Sequence, residues 1–83
     1  MTIEVRLRDY ILNNFLFTDD GSALNNDDSF LEKGIIDSTG IMEMIFFMEQ
    51  EFGIQVDDND MVPENLDSVN RIIAYVGRKR AAA

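Results

Sequence analysis

Apolar positions follow the 3.6-residue period of an α-helix in three segments of this chain, and the stretches between them lack that period. The first segment runs from Thr2 to about Leu16, with Thr2 placed to cap its N-terminus. The second runs from about Thr39 to Phe52, where Gly53 can adopt the left-handed conformation that ends many helices. We expect an amphipathic helix over each of these two segments.

The third periodic segment starts near Asp67, and its cations Arg78 to Arg80 lie where the negative end of a helix favours them. Its apolar stripe consists of Val69, Ile72, Ile73 and Val76. Before it, residues 57–63 predict at most one helical turn around Met61 and Val62, because Pro63 should stop that turn from extending. We place the end of the ordered core near residue 78 and expect residues 79–83 to fray.

Residues 18–37 are rich in Asp, Asn, Ser and Gly, and they predict a long loop with a single turn near residues 28–32. Scattered apolar residues such as Phe30 and Ile36 can pin this loop to a core. The predicted fold class is all-α: one domain over residues 1–83, built as a small four-helix bundle. It has three main helices, one short helix, and the long loop between helices 1 and 2.

The second helix is apolar around more of its circumference than one-sided packing requires. Its core stripe consists of Ile41, Met44, Ile45, Met48 and Phe52. Met42 and Phe46 lie outside this stripe on the flank shared with Ser38, and Phe47 lies on the far side. We therefore expect either further burial of this helix or a partner that docks on it.

Composition places the chain among globular proteins, since 46% of its 83 residues are hydrophobic. With no cysteine it has no disulfide framework, which fits a cytoplasmic location. No apolar run approaches membrane-spanning length, so we expect neither export nor membrane insertion. The formal net charge of -9 disfavours nucleic acid and anionic lipid, favours basic protein partners, and fits a monomer.

Ser38 is the candidate for chemistry, because it stands directly before the apolar second helix. The chain has no histidine or cysteine and no Gly-x-Ser-x-Gly turn, so nothing activates Ser38 as a nucleophile and no catalytic residue is predicted. We therefore do not expect the protein to be an enzyme. Ser38 serves either as an ordinary N-cap, as an attachment point for a group supplied from outside, or as both.

Acidic clusters raise a calcium-binding alternative, but they lack the ligand spacing of a calcium loop. The clusters are residues 19–20, 26–28 and 57–60. A solvated acidic face is the favoured interpretation, no metal ligands are predicted, and weak binding of divalent ions stays open. A further alternative is an unmodified acidic adaptor that binds one partner through the second helix.

Residues 29–38 (SFLEKGIIDS) and the helix that ends in 49–54 (EQEFGI) resemble the acyl carrier protein family around its attachment serine. The resemblance covers nearly the whole chain. It implies that Ser38, preceded by Asp37, carries 4'-phosphopantetheine transferred from coenzyme A by a phosphopantetheinyl transferase. The implied function is to hold an acyl or aminoacyl group as a thioester and to shuttle it between enzymes of fatty acid or secondary metabolite biosynthesis.

The same resemblance implies a partner-binding face on the second helix. Its predicted residues are Thr39, Met42, Glu43, Phe46 and Glu49. The family usually has an apolar residue where Thr39 stands, which argues against recognition by the standard fatty-acid enzymes. Residues 34–38 (GIIDS) and 65–69 (NLDSV) resemble freestanding carriers served by an acyl- or aminoacyl-activating ligase and a downstream acyltransferase or synthase. The residues expected to line a cargo site would suit many apolar chains, so they do not identify the cargo. They are Leu31, Ile36, Met44, Met48, Ile54, Met61, Ile72 and Ile73.

Overall fold

Four α-helices form the frame of residues 2–82, the part of the chain that this computed structural model describes. They are α1 (Ile3–Ile11), α2 (Ser38–Phe52), α3 (Pro63–Leu66) and α4 (Val69–Ala82). No strand occurs among residues 2–82. The all-α architecture of three main helices and one short helix, with the long loop after the first, is confirmed.

The first helical segment begins and ends where the periodicity predicts, but its geometry changes along the way. The Thr2 hydroxyl caps α1 by accepting a hydrogen bond from the Val5 N–H at 3.2 Å. After Ile11 the chain widens into a π-helical turn over Leu12–Leu16. Phe17 then adopts a left-handed backbone conformation with φ of 54° and ends the segment.

The long loop contains one short element that its composition does not reveal, a 3₁₀ turn over Gly21–Ala23. The Asp20 carboxylate caps this turn by accepting from the backbone N–H and the hydroxyl of Ser22. The turn expected near residues 28–32 lies slightly later, over residues 30–34. Leu24, Phe30 and Ile36 are buried and pin the loop to the core, as the isolated apolar positions indicate.

The expectation for residues 57–63 is wrong in two respects, because Met61 and Val62 lie outside the helical turns and Pro63 does not end one. The short turns are a 3₁₀ turn over Asp58–Asp60 and the helix α3, which begins at Pro63 instead of ending before it. Proline suits the first position of a helix, because its φ is already helical and the N–H it lacks would have no partner inside the helix. Pro63 therefore starts a helix here.

The last helix continues through Ala82, beyond residue 78 where the sequence placed the end of the ordered core; Ala83 lies outside the described residues. Side chains of its last turns contact other elements. Lys79 lies 3.2 Å from the carboxylate of Asp57 and 3.6 Å from that of Asp60. Arg80 donates two hydrogen bonds of 3.3 Å to the carbonyl oxygen of Phe52.

The core lies between α1, α2 and α4 and takes the predicted stripes. Its fully buried side chains include Leu7, Ile11, Phe30, Ile36, Met44, Met48, Val69, Ile72 and Val76. Phe47, the apolar residue on the far side of α2, stacks on Tyr10 of α1 with ring centroids 3.9 Å apart. Met42 and Phe46 stay 57% and 64% exposed, so packing accounts for Phe47 but not for these two residues.

Candidate functional site

Ser38 is the first residue of α2, and its hydroxyl is not used as the N-cap. Asp37 is the N-cap, since its carboxylate accepts a hydrogen bond from the Gly40 N–H at 2.8 Å. The interpretation of Ser38 as an ordinary N-cap is therefore wrong. Ser38 is exposed, and its Oγ has no hydrogen-bond partner among residues 2–82.

The segment that leads to Ser38 is held by Asp67, at the junction between α3 and α4. The Asp67 carboxylate accepts hydrogen bonds from the Ser29 hydroxyl and, at 3.1 Å, from the Leu31 N–H. Its carbonyl oxygen accepts from the Phe30 N–H at 3.0 Å. These bonds fix the entry to α2, whereas the Ser38 hydroxyl stays free.

Gly40 allows a close approach between the π-helical turn that follows α1 and the first turn of α2. A Cβ atom at Gly40 would lie 2.7 Å from the Phe15 ring and 2.8 Å from a methyl group of Ile36, too close for either contact. Gly40 is buried, and Phe15 reaches it from the π-helical turn. The sequence does not predict this contact. The available signal is the glycine itself, because a glycine inside a helix lowers helix stability by about 1 kcal/mol relative to alanine and is usually kept for close packing.

A small open pocket of about 200 Å³ lies beside Ser38. Its lining residues are Leu31, Ser38, Ile41, Met61, Val62, Pro63, Leu66 and Asp67. Of the predicted lining residues, Leu31 and Met61 lie here, whereas Ile36, Met44, Met48 and Ile72 are buried in the core. Ile54 and Ile73 pack partly buried against that core. The pocket is mainly apolar and suits a flexible group attached at Ser38.

The predicted partner face is only partly exposed. Thr39, Met42, Glu43 and Phe46 are exposed on α2. Glu49 is half-buried, and its carboxylate accepts a hydrogen bond from the Val56 N–H at 3.0 Å. Glu49 therefore stabilises the chain after α2, in addition to any role toward a partner.

The site offers an exposed hydroxyl that can act as an acceptor. Histidine and cysteine are absent from the sequence, and the pocket carboxylate, Asp67, is bonded to Ser29 and Leu31. Within residues 2–82, no group of three or more carboxylates could hold a metal ion. In the same range no helix is long and apolar enough to cross a membrane. The arrangement can present a group that another protein attaches.

Comparison with known proteins agrees with this geometry. The family described as "Phosphopantetheine attachment site" matches residues 16–76. The chain is 33% identical to the D-alanyl carrier protein of Streptococcus uberis over 76 residues, 92% of each chain. It is 38% identical to the acyl carrier protein of Buchnera aphidicola subsp. Schizaphis graminum over 69 residues, 83% of this chain and 68% of that relative.

Among solved structures, a chain from the crystal structure of an FAD-dependent dehydrogenase matches with a TM-score of 0.73 and 24% identity. The match covers 84% of this chain and 97% of that chain, and at this identity it shows the fold alone. The family match spans the long loop, the free hydroxyl at the start of α2 and most of α4. The chain is a phosphopantetheine-bearing carrier and belongs to the acyl carrier protein family.

Proposed function

We propose that the Ser38 hydroxyl is the attachment point of 4'-phosphopantetheine. One observation at the start of α2 supports this proposal: Asp37 caps the helix, and the exposed Ser38 Oγ forms no hydrogen bond within residues 2–82. A hydroxyl used in a cap has one lone pair bonded to a backbone N–H and is held against the helix, which makes it less available as a nucleophile. Ser38 has no such bond to lose.

The attachment reaction joins the Ser38 Oγ to the phosphorus of coenzyme A that bears the pantetheine. A phosphodiester bond forms, the pyrophosphate bond of coenzyme A breaks, and adenosine 3',5'-bisphosphate leaves. In this proposal the proton of the Ser38 hydroxyl goes to a base on the transferase, since the carboxylate next to Ser38, that of Asp37, is bonded to the Gly40 N–H. When bound, the group supplies a thiol that holds an acyl or aminoacyl unit as a thioester.

The residues around Ser38 have positioning roles in this proposal. Asp37 holds the first turn of α2 through the Gly40 N–H, and Asp67 holds the preceding loop. Leu31, Ile41, and Pro63 and Leu66 of α3 offer an apolar surface beside the attachment point. This chain therefore orients the hydroxyl, and a partner enzyme supplies the catalysis.

The proposed partners are a phosphopantetheinyl transferase, an acyl- or aminoacyl-activating ligase, and a downstream acyltransferase or synthase. They would meet α2 through Thr39, Met42, Glu43 and Phe46, with Glu49 at its edge. Relatives named as D-alanyl carriers support an aminoacyl cargo, and relatives named as acyl carriers support an acyl cargo. The net charge of -9 supports basic surfaces on these enzymes.

The test is an intact-mass measurement after incubation with coenzyme A and a broad-specificity phosphopantetheinyl transferase. We expect the parent to gain the mass of one phosphopantetheine group, and a known carrier in the same reaction shows that the transferase is active. A parent that gains no mass while the known carrier is modified would contradict the proposal. That result would favour the unmodified adaptor.

A further inference from the structure

An apolar groove between α1 and α2 is not explained by the attachment of a prosthetic group at Ser38. The groove is lined by Tyr10, Met42, Glu43, Phe46 and Phe47, which we call the aromatic groove, and it has a volume of about 540 Å³. Met42 and Phe46 form part of the partner face described above, but Tyr10 extends the surface onto α1. Apolar patches of this kind on a small protein mark sites of interaction.

The floor of the aromatic groove is rigid. Tyr10 and Phe47 stack face to face with ring planes 11° apart, and each ring meets a second one edge to face. Phe15 supports Tyr10 at 5.7 Å, and Phe52 supports Phe47 at the same centroid distance. Rings held in this way provide contact area with little loss of side-chain entropy on binding.

The charges around the groove favour a cationic occupant. Within residues 2–82, neither Glu43 in the groove nor Asp9 beside it forms an ion pair. Asp9 lines a second depression of about 310 Å³ that shares Tyr10 and Phe47 with the groove. Glu43 lines the same groove as Tyr10, and its carboxylate contributes, after burial of the phenol, to the raised pKa of Tyr10.

The protein's own cations do not neutralise this surface. Arg6 lines the depression that contains Asp9, but it pairs there with Glu51 at 2.8 Å. The other six cations donate to acceptors outside the groove and the depression; they are Arg8, Lys33, Arg71, Arg78, Lys79 and Arg80. The helix α2 itself contains no Lys or Arg. A second copy of this chain is a poor occupant, because each copy carries a net charge of -9.

We propose that the aromatic groove docks an amphipathic helical segment of a partner enzyme, one that presents Leu or Phe side chains flanked by Lys or Arg. The inference deepens the proposed carrier function by adding α1 to the partner surface. The apolar side chains would cover the Tyr10–Phe47 stack between Met42 and Phe46. The flanking cations would pair with Asp9 and Glu43.

The test uses a defined probe, a synthetic helical peptide with Leu and Phe on one face and Lys on both flanks. A matched peptide with Glu in place of every Lys is the negative control. We expect amide NMR shifts of the unmodified protein to cluster at residues 9–10 and 42–47 when the Lys peptide is added. A footprint centred elsewhere, or no binding up to millimolar peptide, would overturn the proposal.

Four variants separate specific docking from general attraction to an acidic protein. Tyr10→Ala should weaken binding about tenfold, as is common for a buried aromatic contact, whereas Phe17→Ala, which removes an 82% exposed ring outside the groove, should not. Asp9→Asn should weaken binding more than Asp19→Asn, although both remove one exposed charge. Equal effects within either pair would overturn the proposal. If Tyr10→Ala does not fold, the NMR footprint on the parent protein is the deciding result.

These measurements use the protein without its prosthetic group, so they remain valid if Ser38 is never modified. Groove binding without modification would remove the proposed attachment site but keep this inference. Modification of Ser38 without a groove footprint would keep the attachment site but remove this inference.

Discussion

Two serines stand at the starts of helices in this protein, and only one of them uses its hydroxyl to cap the helix. Ser68, directly before α4, is 4% exposed, and its hydroxyl accepts a hydrogen bond from the Arg71 N–H at 3.2 Å. Ser38, at the start of α2, is exposed, and its neighbour Asp37 supplies the cap. A serine before a helix is therefore free for modification only where another residue satisfies the helix N-terminus.

The largest effect that this comparison predicts is on modification. Ser38→Ala should abolish the gain of phosphopantetheine mass, because the acceptor oxygen is gone. Its free energy of unfolding should stay within about 0.5 kcal/mol of the parent, as for other exposed substitutions without a contact to lose. Intact mass and urea denaturation measure the two results, and a clear loss of stability would mean that Ser38 has a structural role after all.

The reverse pattern is expected at the second serine. Ser68→Ala should lower the free energy of unfolding by about 1–2 kcal/mol, because a buried N-cap of α4 is lost. Modification by the transferase should still go to completion in the folded protein. If Ser68→Ala is as stable as Ser38→Ala, the contrast between the two helix starts fails.

A smaller effect tests whether Asp37 really carries the cap of α2. Asp37→Ala should cost about 1 kcal/mol of unfolding free energy, whereas Asp37→Asn should cost little, because the asparagine side chain caps helices as well as aspartate does. Chemical denaturation of both variants measures the difference. Equal losses would show that the charge of Asp37, and not its hydrogen bond to Gly40, is what matters.

The smallest effect concerns α4 and appears only in alkaline solution. Burial, together with the hydrogen bond that its hydroxyl donates to Asp60 at 2.8 Å, raises the pKa of Tyr75. Because the folded pKa lies above the unfolded value of about 10, this contribution to stability is present below pH 10 and is lost as the pH rises through the folded pKa. Unfolding free energy should therefore fall above pH 10.

Variants of the two tyrosines identify the source of that decline. Tyr75→Phe should reduce the fall in stability above pH 10, whereas Tyr10→Phe should change it less, since Tyr10 has no hydrogen bond to a carboxylate among the bonds of residues 2–82. Denaturation at a series of pH values gives the comparison. An unchanged alkaline decline in Tyr75→Phe would show that the Asp60 contact does not stabilise α4.

The helices were predictable because their periodicity is strong and their ends carry specific signals. Thr2 caps α1 and Gly53 ends α2 with φ of 66°, as their residue types indicate. The cap of α2 was not predictable in the same way. Asp37 and Ser38 are both good caps, and only the backbone decides which of two adjacent residues lies outside the helix.

The contacts around the site were the least predictable part. The approach of Phe15 to Gly40 depends on a π-helical turn, which a pattern with a period of 3.6 does not indicate. The bond from Asp67 to the loop joins residues 36 positions apart. Proline usually indicates the end of a helix, but Pro63 follows an extended Val62 and is the first residue of α3.

The most direct test of the account locates the prosthetic group on the chain. After treatment with coenzyme A and the transferase, digestion by a protease specific for Glu gives a peptide of residues 33–43, in which Ser38 and Thr39 are the hydroxyl-bearing residues. Fragmentation of this peptide should place the phosphopantetheine mass on Ser38. Its location on Thr39, or on another peptide such as the one that contains Ser68, would contradict the account.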